Sequence, residues 1–127
     1  METKAHIYEQ HAENTEWVNR LNFYKDELKI MTGRLEEIAT KNSAKDVLAQ
    51  VEHFQNQFIV QRNNIDEAMH AVNSHEETLQ MEIKTNPVAV DHRLVTYHAE
   101  EKEMIGSFEK VFNALRNEFI EFSSKWM

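Results

Sequence analysis

The chain has 127 residues, and its 14 basic and 22 acidic side chains give a net charge of −8 at neutral pH with histidine neutral. With no cysteine, two glycines and one proline, it excludes disulfide frameworks, thiolate metal sites and cysteine nucleophiles, and it has too few chain breakers for a β-sandwich or barrel. The acidic balance argues against nucleic acid, whose affinity comes largely from basic side chains neutralising phosphates, and no run approaches the ~18 apolar residues of a membrane helix.

Three long segments follow in order. Each carries apolar seats spaced alternately three and four residues apart, the pattern of helices packed along a shared seam. The first, expected over 7–40, seats Ile7, Gln10, Asn14, Trp17, Leu21, Tyr24, Leu28, Met31, Leu35 and Ile38. It ends at Thr40-Lys41-Asn42-Ser43, where Ser43 is placed to cap the next helix and Asp46 suits its dipole. The second, expected over 44–84, seats Leu48, Val51, Gln55, Phe58, Arg62, Ile65, Met69, Val72, Glu76, Leu79 and Ile83. A break at Thr85-Asn86-Pro87 precedes the third, expected over 88–126 and opened at Asn86 or Asp91, because proline is tolerated only at a helix start. Its seats are Leu94, His98, Glu101, Ile105, Phe108, Phe112, Leu115, Phe119, Phe122 and Trp126. Short connections make neighbours antiparallel. The expected architecture is therefore all-α, an antiparallel up-down-up three-helix bundle, with residues 1–127 forming one domain. Gly33 and Gly106 fall mid-helix on outward seats, each costing about 1 kcal/mol relative to alanine.

Seven seats are polar: Gln10, Asn14, Gln55, Arg62, Glu76, His98 and Glu101. Folding the first hairpin between Ile38 and Leu48 sets Asn14 opposite Val72 and Gln10 opposite Glu76. Folding the second about Pro87 brings Glu76 level with residues 95–98. Gln10, Asn14, Glu76, His98 and Glu101 then meet in one polar core layer near an end of the rod. The same half holds His6, His11, His70, His75, His92 and His98, whereas Phe54, Phe58, Phe108, Phe112, Phe119, Phe122 and Trp126 occupy the other. Outside the layer, Arg62 is expected to snorkel past Tyr24 and Phe112, and Gln55 to form a second polar layer facing Met31.

The ordinary role of such a layer is to fix register through side-chain hydrogen bonds. The alternative is a metal site, because imidazole and carboxylate ligands from facing helices suit zinc, iron, manganese or nickel. Its candidate ligands are Glu76, His98 and Glu101, with His75 or His11 as additions. Glu67-Ala68-Met69-His70 resembles half of the ferritin-like di-iron pattern, but the second Glu-x-x-His is missing and His70 takes an outward seat. The His-x-x-x-His of hemerythrin-like proteins is absent.

Phe23, Ile30, Val60 and Ile120 lie off the stripes, and the first three share a height, forming a candidate interface for a second copy or another helical protein. The spacing of Trp17 and His53 resembles a spectrin-type repeat over a few residues, which implies a three-helix rod. The segment Val51-Glu52-His53-Phe54-Gln55-Asn56-Gln57-Phe58 is similar to small helical proteins of Bacteroidetes-type bacteria, a resemblance that implies no activity. No catalytic triad, nucleophile elbow or cofactor fingerprint is present. Met1–His6 lacks the apolar core of a signal peptide. The expectation is a cytoplasmic, non-catalytic helical protein that self-associates, most simply as a homodimer, or binds another protein, with no resident cofactor. The alternative is a protein that binds a divalent transition metal at the histidine-carboxylate end.

Overall fold

A computed structural model describes residues 2–85 and 92–127, with side chains described for 7–82, 84 and 96–127. It contains three helices: α1 (Glu2–Lys41), α2 (Lys45–Thr85) and α3 (His92–Trp126). Each spans roughly 50–60 Å at ~1.5 Å per residue. The expected openings of the third helix at Asn86, Pro87 or Asp91 lie outside the described residues, as do the side chains of His6, Ile83, His92 and Leu94.

Cross-helix contacts fix the directions. Glu13 meets His98, Arg20 meets Glu109 and Glu27 meets Arg116, at a nearly constant offset of 85 to 89 residues, so α1 and α3 run parallel. On α2, Glu76 meets His11 and Asp66 meets Lys25, an order that descends as α1 ascends, so α2 runs antiparallel to both. The result is the expected up-down-up three-helix bundle. No helix among the described residues is long and apolar enough to cross a membrane.

All ten expected seats of α1 are buried. On α3 every described seat is buried except Glu101 and Trp126, which are half-buried. α2 departs from expectation. Its buried positions are Val47, Val51, Phe54, Phe58, Gln61, Ile65, Ala68, Val72, His75 and Leu79. Alternate seats thus fall one residue earlier than expected, at 47, 54, 61, 68 and 75 in place of Leu48, Gln55, Arg62, Met69 and Glu76. The physical reason is desolvation, since an ionised side chain in an apolar core is costly unless paired. The observed phase turns Arg62 outward, leaves Glu76 half-buried, and adds the Phe54 ring to the core. Gln55 and Arg62 instead line a surface groove between α1 and α2, so neither is a core layer.

Ser43 does not open α2. The carbonyl of Ala44 accepts the first helical bond, from the Leu48 amide, placing Ala44 at the cap position. Asp46 does sit in the first turn. Asn42 closes the other side of the connection: its side-chain amide donates to the carbonyl of Ile38 and to that of Trp126, tying the end of α1 to the end of α3.

The half near that tie is aromatic. Phe54 lies 5.0 Å from Phe122 and 5.5 Å from Phe119, ring centre to ring centre, and Phe58 lies 5.3 Å from Phe119. Edge and tilted contacts of this kind add to the burial of large apolar rings. Midway along the rod, Tyr24 and Arg20 both donate to the Glu109 carboxylate, and Arg116 reaches Glu27 across the rings of Tyr24 and Phe112. Beyond this belt lies the polar end.

Candidate metal centre

Three side chains converge at the polar end. α2 contributes His75, and α3 contributes His98 and Glu101, whose three-residue spacing sets both on one helix face. Both imidazoles are buried, with 6% and 7% of their surfaces exposed, and Glu101 is half-buried. One ligand atom from each lies within 4.8 Å of the other two. Among the described residues, His75 Nε2, His98 Nδ1 and Glu101 Oε2 are buried without a hydrogen-bond partner.

Neighbours hold the imidazoles in place. The His98 ring stacks on Trp17 at 4.7 Å with the planes 25° apart, and it lies 5.4 Å from the His75 ring. Its Nε2 is 3.2 Å from Glu13 Oε1, and the other Glu13 oxygen is 3.5 Å from Lys102 Nζ. Burial, then the neighbouring His98, pulls the His75 imidazole below its usual range, with Glu76 opposing. Burial pushes the Glu101 carboxyl up to about 7.

Glu76 belongs to a separate network. It accepts from Asn14 Nδ2 at 2.7 Å, from Gln80 Nε2 at 2.9 Å and from His11. Burial alone would raise its pKa, but these three hydrogen bonds outweigh that and hold the carboxyl below the ordinary range. The Asn14 contact also corrects the expected register. Asn14 stands opposite Glu76 rather than Val72, one helical turn along, while the register of the second hairpin holds, with His75 beside His98. Gln10 and Asn14 are buried, and among the described residues neither side-chain carbonyl oxygen has a partner.

Of the five expected metal ligands, the structure therefore groups His75, His98 and Glu101 and sets Glu76 and His11 apart as a mutual pair. Of the residues expected to form a polar layer, Gln10, Asn14 and His98 are buried and Glu76 and Glu101 half-buried, and His75 is buried beside His98. Glu67 and His70 are both exposed. Sequence reasoning missed Glu13. It sits beside a seat rather than on one, and only its position next to Asn14 and one turn before Trp17 hinted at it.

A triangle of donors with 4.8 Å sides has its centre about 2.8 Å from each corner, against ~2.0–2.2 Å for zinc bonds to histidine and carboxylate. Reaching bonding distance would need each donor atom to move inward by about 0.6–0.8 Å. Two imidazoles and one carboxylate suit zinc, iron or nickel better than magnesium or calcium, which prefer all-oxygen sets. Three protein ligands also leave room for water or another small ligand, unlike the four-ligand closure of a purely structural site.

The surface residues expected to form an interface are exposed: Phe23 by 61%, Ile30 by 60% and Val60 by 47%. Ile30 and Ile120 share a groove between α1 and α3, whereas Ile59, next to Val60, lines the groove between α1 and α2. No family model matches this chain, and no curated protein or solved structure matches it.

Proposed function

We propose that the protein binds one divalent transition metal ion, zinc being the first candidate, through His75 Nε2, His98 Nδ1 and Glu101 Oε2. The observation that supports this is the coincidence of two independent facts. One ligand atom from each of His75, His98 and Glu101 lies within 4.8 Å of the other two, and each of the three residues also has a buried atom without a hydrogen-bond partner among the described residues. Buried polar groups in folded proteins are almost always satisfied, so three orphans in one place call for a ligand. All three are acceptors in the protonation states that expose a lone pair, which a cation satisfies together and a single donor cannot.

The test is elemental analysis of untagged protein purified without chelator, followed by zinc titration of the chelator-stripped protein. Near-stoichiometric zinc, iron or nickel, lost in His75→Ala and His98→Ala, supports the reading. A clean blank and no titratable site would overturn it and leave the trio as a water-filled polar layer that fixes register. At zinc a hundredfold above Kd, the stabilisation is about 2.7 kcal/mol, read as a rise in Tm that EDTA reverses.

A second reading concerns partners. The exposed apolar side chains Phe23 and Ile30 on α1 and Ile120 on α3 favour side-by-side pairing with a second copy. Sedimentation equilibrium on wild type and Ile30→Glu checks it: a dimer dissociated by the substitution supports the pairing, and a monomer at all concentrations removes it.

A further inference from the structure

We infer that Glu13 of α1 is a positioning residue for the metal site, fixing His98 so that its Nδ1, and not its Nε2, faces the ion. The inference rests on the metal reading above and deepens it by assigning a residue that touches no metal.

The two nitrogens of His98 are in opposite situations. Nε2 lies 3.2 Å from the Glu13 carboxylate, and Nδ1 is buried with no partner among the described residues. An ionised carboxylate has no proton to give, so Nε2 must be the donor of that bond. In the neutral imidazole the other nitrogen then carries the lone pair. That nitrogen, Nδ1, is the one left buried without a partner among the described residues. Metal-bound histidines commonly donate their second ring N–H to a carboxylate, which orients the ring and raises the basicity of the ligating nitrogen.

The support is held from several sides. Lys102 Nζ, 3.5 Å from the second Glu13 oxygen, anchors the carboxylate from α3. Trp17, four residues after Glu13 on the same helix, covers one face of the ring. Since Glu13 and Trp17 come from α1, His75 from α2, and His98 and Glu101 from α3, all three helices contribute to one ligand geometry. The arrangement also gives the pair a role other than stability. The contact is largely buried, with the His98 and Glu13 side chains 9% and 25% exposed, so its effect on ligand orientation has to be read separately from its effect on folding.

The experiment compares zinc affinity in wild type, Glu13→Ala, Glu13→Gln and His98→Ala by competition with a chromophoric chelator. Alongside, the His98 ring ¹⁵N shifts and the Tm are recorded in EDTA. Expected are a 10–100-fold weaker Kd in Glu13→Ala, a smaller loss in Glu13→Gln, which keeps an acceptor, and a wild-type ¹⁵N pattern of Nε2 protonation that becomes a mixture in Glu13→Ala. A merely structural Glu13 would lower the EDTA Tm and leave Kd unchanged. Zinc binding abolished in His98→Ala but unchanged in Glu13→Ala would overturn the positioning role while leaving the metal site intact. Absence of zinc binding in wild type would overturn the metal reading, and this inference with it.

Discussion

Glu101 is the residue whose chemistry most depends on what occupies the site. Burial lifts its carboxyl to about 7 in the metal-free protein, while in the unfolded chain it titrates near the ordinary ~4.3. The folded state thus retains a proton that the unfolded state releases between those values. Its favourable effect is complete at the acid end of that window and is lost as pH rises through about 7. His75 works in the opposite direction, because its lowered pKa makes the folded state lose stability as pH falls below the unfolded value of ~6.5. Glu101→Gln cannot ionise, so in EDTA its Tm relative to wild type should climb from pH 5 to pH 8. An unchanging difference would show that Glu101 is not held in a desolvated seat. Saturating zinc should reverse the ranking, with wild type above Glu101→Gln at pH 8, since metal binding requires the deprotonated carboxylate.

At the scale of the helix, the glycines are the simplest test of local reasoning. Gly33 and Gly106 are exposed mid-helix, neither has a positive φ, and a Cβ at either would meet nothing within 4 Å. Alanine at each should stabilise by about 0.5–1 kcal/mol, checked by urea unfolding. Phe112 is fully buried, and Phe112→Ala should destabilise by about 3–5 kcal/mol in the same assay. The seams of α1 and α3 were legible in the sequence because their three-and-four spacing has one solution. α2 offered two, sharing Val51, Phe58, Ile65, Val72 and Leu79. The alternate seats decide between them: one set would bury Arg62 and Glu76, and the other buries Phe54, Ala68, Gln61 and His75, with no carboxylate or guanidinium among them. Weighing the cost of burying charge, as well as counting apolar letters, would have chosen correctly. On α3 the pairing of His98 with Glu101 was readable, whereas on α2 His75 stood only as an addition to Glu76, because the choice of phase exchanges one for the other. Glu13 was beyond reach, since a flanking position gains its partner only once the helices are docked.

Along the whole rod the two ends hold together by different means. One is packed rings, closed by Asn42 bridging Ile38 and Trp126. The other is polar, and among the described residues it holds five unpartnered buried atoms, on Gln10, Asn14, His75, His98 and Glu101. Such an end should open more readily, because unsatisfied buried groups oppose folding locally. Amide hydrogen exchange in EDTA should therefore show slow exchange around Phe54, Phe112 and Phe119 and faster exchange around Val72 and His98. Zinc should slow the second set and leave the first unchanged; equal protection at both ends would remove this asymmetry. The stack of Trp17 on His98 gives this architecture an optical consequence. The second of the two tryptophans, Trp126, lies beside Asn42 at the far end, roughly 35–40 Å away at ~1.5 Å per residue along α1. Indole emission thus divides into a lamp placed against the candidate ligand and a reference beyond the reach of its direct contacts. In a Trp126→Phe background, a quenching ion such as nickel would report on His98 alone, without an attached dye.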